Sequence, residues 1–137
     1  MNLSTTTAAL MRRTGQPLEL TELRMEPPRH GEIVVEISAT GICHSDLSVL
    51  HGTLPNPLPA VLGHEGAGTV VALGPGVQDL AEGDPVALSW MAQCGHCFYC
   101  EHHQPVLCTE GAAGMSRGTL PDGGTRLAYA RGPLGRH

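Results

Sequence analysis

Apolar and polar positions alternate in several short stretches of the chain, and this pattern predicts β-strands. Residues 8–12 and 18–24 are expected to form two strands around a turn at residues 14–17, although the second stretch alternates only in part. Residues 32–39 are the clearest predicted strand, with one apolar face formed by Ile33, Val35 and Ile37. Short strands separated by turn residues favour a β-rich domain.

The middle of the chain adds two more predicted strands and one short helix. Residues 66–73 and 84–89 have the composition of strands. Residues 44–51 predict one or two helical turns, which end at Gly52 because glycine commonly follows the last residue of a helix. Residues 54–59 are expected to be a loop, since three of these six residues are proline and proline interrupts helices and central strands.

Composition and charge narrow the class of protein. The chain has 137 residues, enough for one domain with a modest core. Its net charge is -5 and it has no basic cluster, which argues against nucleic acid or an anionic membrane as a partner. No apolar run is long enough to span a bilayer, and the first residues do not resemble a signal peptide. We therefore expect a cytoplasmic protein with reduced cysteines.

Beyond Gln93 the pattern has no regular period, and cysteine becomes the informative residue. Four of the five cysteines follow the spacing C-x2-C-x2-C-x7-C. An iron–sulfur cluster usually has three residues before its last cysteine, often followed by proline, whereas here there are seven, and Thr109 follows. Disulfides are typical of exported proteins. A closed tetrahedral zinc site is therefore predicted, with the ligands Cys94, Cys97, Cys100 and Cys108.

Three histidines lie close to these cysteines in the sequence. His96 stands between two of the ligands, and His102 and His103 follow the third. Because four thiolates already complete a tetrahedral zinc site, these histidines are predicted to be solvated loop residues.

The fifth cysteine and a distant histidine suggest a second metal site. Cys43 lies in the stretch Gly-Ile-Cys-His-Ser-Asp, and His64 follows Gly63 just before a predicted strand. Taken alone, Cys43 fits a small buried hydrophobic residue, and His64 fits a histidine in a turn with its hydrogen bonds satisfied. Together, with glycines around both and a zinc site elsewhere, they favour an open zinc site. Ser45 offers a hydroxyl near the metal, and Asp46 is placed to accept a hydrogen bond from the second ring nitrogen of His64.

Three motifs in register now resemble those of one family. The pattern Gly-His-Glu, two residues, Gly, five residues, Gly runs from Gly63 to Gly74. Together with the Cys43 stretch and the four-cysteine spacing, it resembles the zinc-containing medium-chain alcohol dehydrogenases over residues 8–126. The run Leu88-Ser89-Trp90 further resembles the class III-like bacterial branch.

The resemblance implies a mainly β fold, namely a GroES-like, partly open β-barrel with a zinc-binding lobe at about residues 91–111. No G-x-G-x-x-G motif follows a predicted strand, so a nucleotide-binding Rossmann domain is expected to be absent. The family's third catalytic zinc ligand lies well beyond Cys108, and no cysteine follows that residue. We therefore expect residues 1–137 to be an incomplete catalytic domain, truncated from a longer parent and inactive alone.

The resemblance also assigns roles around the second metal site. It implies that Cys43 and His64 bind a catalytic zinc, that Asp46 supports them, and that Glu65 lies behind the metal and approaches it during ligand exchange. In the parent, zinc would activate an alcohol, which is oxidised to an aldehyde or ketone by hydride transfer to NAD(P).

A proton relay is part of the same comparison. Ser45 resembles its first member. The family's relay ends at a histidine five residues after the ligand cysteine, but Ser48 stands there in this chain. We hypothesise that His51, three residues farther on, takes this role, or that solvent does.

The remaining implied contacts are with ligands. His44 occupies a place where the family often has a basic residue against the cofactor pyrophosphate, and Leu54 and Trp90 match positions that line the substrate pocket. The implied partners are a small alcohol or aldehyde and, for the full-length parent, a second copy in a homo-oligomer. Two alternatives stay open: a thiol-dependent formaldehyde dehydrogenase of the same superfamily, and a stand-alone, non-enzymatic zinc-binding β-domain.

Overall fold

The computed structural model describes residues 5–24, 27–89 and 93–110. In this part of the chain, strands dominate and the helices are short, so the mainly β prediction is confirmed. The elements in chain order are β1 (Thr5–Met11), β2 (Glu19–Arg24), β3 (Ile33–Thr40), α1 (His44–His51), β4 (Ala60–Val61), β5 (Gly66–Leu73), β6 (Pro85–Ala87), α2 (Phe98–Glu101) and a 3-10 helix (Pro105–Leu107).

The first sheet contains the predicted hairpin. Its strand order is β2-β1-β4, and both pairings are antiparallel. Leu10 of β1 is fully buried and packs with Leu23 of β2. Burying a leucine of this kind contributes about 1.5–3 kcal/mol. At the hairpin end, Arg12 donates a hydrogen bond to Glu19 across 2.6 Å.

The second sheet, of order β3-β5-β6, brings the two halves of the Cys43–His64 site together. Thr40, at the end of β3, pairs with Gly66, at the start of β5. The Gly41 amide donates to the Glu65 carbonyl oxygen at 2.8 Å, and the Thr40 hydroxyl donates to the same oxygen at 2.8 Å. The loops after β3 and before β5 therefore lie side by side.

The predicted apolar face of β3 is wrong in detail. Ile37 is 49% exposed, whereas Val34, on the opposite face of the predicted strand, is only 8% exposed. The pairing with β5 shifts register between Val34 and Val35 and again between Ile37 and Ala39. Each irregularity breaks the strict two-residue period on which the prediction relied.

Helix α1 begins after Cys43, as predicted, and ends at Gly52. Gly52 has a φ of 80°, a left-handed conformation in which glycine has no steric penalty. The turn of the first hairpin packs against this end, because the Gly15 amide donates to the Leu50 carbonyl oxygen at 2.8 Å. That contact satisfies one of the carbonyl groups that a helix leaves free at its C-terminus.

The short elements differ most from the predictions. Strand β6 is shorter than residues 84–89, and neither the two-residue β4 nor the helices after Gln93 were predicted. Elements of two to four residues are too short to show a hydrophobic period. Among the described residues, no helix is long and apolar enough to cross a membrane.

Candidate metal centres

The four predicted cysteine ligands lie together in the zinc-binding lobe. Their sulfur atoms are all within 4.8 Å of one another. The Cys94 and Cys100 sulfurs are 4.0 Å apart, and those of Cys97 and Cys108 are 3.9 Å apart. In a tetrahedron with zinc–sulfur bonds of about 2.3 Å, the sulfurs are separated by about 3.8 Å. These two separations are close to that value, so the four sulfurs are suitably placed to bind one zinc ion.

Backbone amides of the lobe point at these sulfurs. Cys94 donates its N–H to the Cys108 sulfur at 3.3 Å, and Cys97 donates to the Cys94 sulfur at 3.2 Å. Gly95, at a φ of 81°, allows the tight turn between them. Such N–H groups stabilise thiolates, the form in which cysteine binds a metal.

The thiols of the lobe must lose their protons to bind a metal, and their pKa values show how readily they do so. A backbone hydrogen bond from His96 lowers the pKa of Cys94, but burial and the neighbouring thiols outweigh it and raise this pKa to about 11. The backbone hydrogen bond from Cys100 lowers the pKa of Cys97. Four crowded sulfurs do not all ionise easily, so metal binding must release protons.

The histidines around the lobe have different surroundings. His96 is exposed, as predicted, but it is also hydrogen-bonded: Nδ1 lies 2.8 Å from the Cys94 carbonyl oxygen, and Nε2 lies 3.2 Å from Glu110 Oε2. Glu110 was not singled out from the sequence. His102 Nδ1 is 2.7 Å from the Phe98 carbonyl oxygen, and its ring stacks on that of Phe98 at 4.1 Å.

In the second site, Asp46 joins the two candidate ligands. One oxygen of its carboxylate, Oδ2, accepts the Cys43 N–H at 3.0 Å. The other, Oδ1, accepts the Gly63 N–H at 3.2 Å and lies 3.3 Å from Nδ1 of His64. With Nδ1 directed at Asp46, Nε2 is the nitrogen left to bind a metal. The contribution of the Gly63 amide was not predicted, because every residue except proline has a backbone N–H group and a sequence motif does not show which of them donates.

The surroundings shift the pKa values of both candidate ligands, in opposite directions. Hydrogen bonds from Ser45, first from its side chain and then from its backbone, lower the pKa of the Cys43 thiol. Burial alone would lower the pKa of His64, but the Cys43 sulfur and the Asp46 carboxylate outweigh burial and raise it. The loops thus favour a thiolate at Cys43 beside a protonated His64 ring, and a metal ion bound here would displace that proton.

Glu65 completes a group of three potential metal ligands. Its carboxylate, the Cys43 sulfur and a His64 nitrogen all lie within 4.8 Å of one another. A side chain at Gly41 would collide with the Glu65 carboxylate, so glycine there leaves room for it. A thiolate, an imidazole and a carboxylate are suitable ligands for zinc, and three protein ligands leave a fourth position open.

The predicted relay residues lie on or beside helix α1. Ser45 Oγ is 3.5 Å from Nε2 of His64, next to the nitrogen that would hold the metal. Ser48 instead contacts His44: its hydroxyl donates to the His44 carbonyl oxygen at 3.1 Å and lies 3.4 Å from Nδ1 of that ring. His51 is exposed at the end of the helix. Six residues after Ser45, it is about 9 Å along the axis and about 120° around it.

Of the two candidate pocket residues, Leu54 lies in the described part of the chain. Leu54 is 44% exposed, and its N–H donates to the Ser48 carbonyl oxygen at 3.1 Å, which ties the loop after α1 to the helix. Trp90 lies outside the described residues. Of the predicted zinc-binding lobe, residues 93–110 are described.

The fold agrees with one family of proteins. The model of the alcohol dehydrogenase GroES-like domain family matches residues 29–132. This match covers most of the chain, and the chain belongs to this family. The resemblance inferred from the motifs, and the GroES-like fold it implied, are therefore confirmed.

Several individual proteins are also similar to this chain in sequence and structure. The chain is 41% identical over 128 residues to S-(hydroxymethyl)glutathione dehydrogenase of Escherichia coli O1:K1 / APEC, a match that covers 93% of this chain and 35% of that protein. It is 43% identical to an alcohol dehydrogenase zinc-binding domain protein of Burkholderia ambifaria, whose crystal structure aligns with a TM-score of 0.74 over 93% of this chain and 35% of that one. It is 36% identical to acetophenone reductase of Geotrichum candidum, solved in complex with NAD, with a TM-score of 0.69 over 77% and 32% of the two chains. The chain spans about a third of the length of these proteins.

Proposed function

We propose that these residues belong to a zinc-dependent alcohol dehydrogenase that oxidises alcohols to aldehydes or ketones by hydride transfer to NAD(P). The observation that carries this proposal is the joint orientation of Cys43 and His64 by one carboxylate, that of Asp46. A site whose protein ligands leave one position open suits a metal that activates a substrate, whereas four protein ligands suit a structural metal. Family membership supports the reaction type.

When bound at this site, zinc supplies Lewis acidity that polarises the hydroxyl or carbonyl oxygen of the substrate. The residues of the chain then have separable tasks. Asp46 holds the tautomer of His64, and the Ser45 hydroxyl, beside Nε2 of that ring, accepts the proton of the alcohol. Glu65 lies within reach of the same group and is proposed to occupy a ligand position during exchange of substrate and product.

The proton must travel from Ser45 to solvent. We propose that His51 receives it through water, because the helix geometry separates the two side chains by more than a hydrogen bond. His51→Gln in the whole protein tests this step through the pH dependence of turnover. A changed profile supports His51; an unchanged profile means that solvent takes the proton directly.

The cofactor contact is assigned to His44, which is exposed at the first turn of α1. An imidazole at the start of a helix favours a phosphate, because the helix dipole there is positive. NAD bound to a solved relative supports a nicotinamide cofactor. Leu54 and Trp90 are proposed to line the substrate pocket.

The second candidate is a narrower reaction, the oxidation of S-(hydroxymethyl)glutathione. It is favoured by the 41% identity to an enzyme with that name. Steady-state kinetics of the whole protein with formaldehyde plus glutathione, compared with a simple alcohol, distinguish the two. A rate that requires glutathione supports the narrower reaction, and a rate with alcohol alone supports the broader one.

The setting of the protein completes the proposal. We propose that residues 1–137 are an incomplete part of one catalytic domain, that the whole protein is cytoplasmic, and that it assembles as a homo-oligomer. The decisive experiment for the function is NADH formation by the whole protein and by its Cys43→Ala variant. Equal rates in the two proteins would refute the proposed site.

A further inference from the structure

The four-cysteine site presents a problem of access. Cys108 is only 1% exposed, and the other three sulfur ligands belong to partly buried residues. Four sulfurs around a tetrahedral ion leave no position for an incoming ligand. An ion can enter or leave such a site only if another group takes the place of a sulfur.

A second ligand group lies beside this site and shares one sulfur with it. Ligand atoms of Cys94, His96 and Glu110 lie within 4.8 Å of one another. The side chains of His96 and Glu110 are 68% and 57% exposed. The group therefore extends from a sulfur of the closed site to the solvent.

The spacing of the two exposed ligands suits a metal as well as a hydrogen bond. Nε2 of His96 and Oε2 of Glu110 are 3.2 Å apart. Two nitrogen or oxygen ligands on tetrahedral zinc, with bonds of about 2.0–2.1 Å, are separated by about 3.3 Å. The pair can bind an ion with little rearrangement.

We infer that Cys94, His96 and Glu110 form a port through which zinc enters and leaves the four-cysteine site. During exit the ion would keep its bond to the Cys94 sulfur, while Nε2 of His96, Oε2 of Glu110 and one water molecule would replace its three other zinc–sulfur bonds. The three released thiolates would take their protons from solvent. Entry is the reverse. This inference rests on the assignment of zinc to the lobe.

A purely structural role of the same pair predicts the opposite result. If the His96–Glu110 contact only held the lobe together, removing it would loosen the site and speed metal loss. If it is a port, removing it slows exchange in both directions and leaves the equilibrium affinity unchanged, because a pathway alters a barrier and not the end states.

The test uses the 137-residue chain with Cys43→Ser, so that the other site does not interfere. The lobe is loaded with Co²⁺, which absorbs through its bonds to sulfur, and displacement of Co²⁺ by Zn²⁺ is followed by the loss of that absorption. His96→Ala and Glu110→Gln are expected to slow displacement about tenfold, equivalent to about 1.4 kcal/mol in the exchange barrier. The matched controls, His103→Asn and Glu101→Gln, change exposed residues of the same lobe and should exchange at the parent rate.

A further variant separates ligand chemistry from ion pairing. His96→Asp keeps a metal-binding oxygen but cannot pair with Glu110, so the port predicts exchange faster than in His96→Ala. Unchanged or faster exchange in His96→Ala and Glu110→Gln would overturn the port. Failure of the parent chain to bind Co²⁺ through sulfur would instead overturn the zinc assignment, and the port with it.

Discussion

The two metal centres of this chain are built in opposite ways. In the zinc-binding lobe, all four ligands come from residues 94–108, and backbone amides of the same segment contact the sulfurs. In the Cys43–His64 site, the ligands lie on two loops that come together only because β3 pairs with β5. A local segment can close around an ion with sulfur alone. A site assembled from distant loops depends on the sheet and on one carboxylate, and it keeps a position open for chemistry.

The largest effect is expected from opening the closed site. Cys108→Ser removes the most buried of the four ligands, so the lobe should lose its zinc and its short helices. Structural zinc sites of this kind contribute on the order of 10–16 kcal/mol of binding free energy. Zinc analysis and amide hydrogen exchange of residues 94–108 measure the loss. Thr109→Ser, a change next to the same ligand, is the control and should retain the metal. A lobe that stayed folded and zinc-loaded in Cys108→Ser would contradict the closed site.

The next prediction tests whether the two metal centres bind zinc independently of each other. Cys43→Ala should reduce alcohol oxidation by the whole protein roughly a thousandfold or more, since metal activation supplies several kcal/mol. The lobe should keep its zinc, because no ligand is shared between the two centres. Metal content and initial rates are measured on the same preparation. Loss of both metals from this variant would show that the centres are not independent.

A smaller effect tests the carboxylate that orients the open site. Asp46→Asn places an NH2 group against the N–H donors of Cys43, or of Gly63 and His64, because both carboxylate oxygens accept hydrogen bonds. Changes of such supporting groups typically weaken metal binding by about 10–100-fold. Competition with a chelator measures the affinity. Asp79→Asn, on an exposed loop, is the matched control, and an equal loss in both variants would remove the special role of Asp46.

The smallest effect lies outside both centres. The Arg12 side chain, through its hydrogen bond and then its charge, lowers the pKa of Glu19 below the ordinary 4.5. Because the pKa is lower in the folded chain, this pair stabilises the fold above the unfolded pKa, and the contribution disappears as the pH falls through the lowered value. Arg12→Gln should therefore be less stable than the parent near neutral pH but not in acid. Urea unfolding of both proteins between about pH 7 and about pH 3 measures the difference; a constant difference would contradict this pH dependence. Zinc content should not change.

The contrast between the centres also explains what could be predicted from the sequence. The lobe ligands follow from cysteine spacing, because neighbours in the chain are neighbours in space. Cys43 and His64 needed supporting signals, namely the glycines around both and the zinc site elsewhere, because His64 lies 21 positions after Cys43 and strand pairing is not visible in spacing. Strand β3 was predicted from its period, whereas the exposure of Ile37 was not, because the irregular pairing of β3 alters its faces. Glu110 was missed because its partner His96 is 14 residues away.

The central claim is that one chain holds two zinc ions in different surroundings. The most direct test is to measure the zinc content of the purified 137-residue protein before and after dialysis against a mild chelator. The account predicts two ions per chain at saturation, one of which is lost quickly from the Cys43–His64 site while the other remains in the lobe. A chain that binds no zinc, or that loses both ions at the same rate, would contradict it.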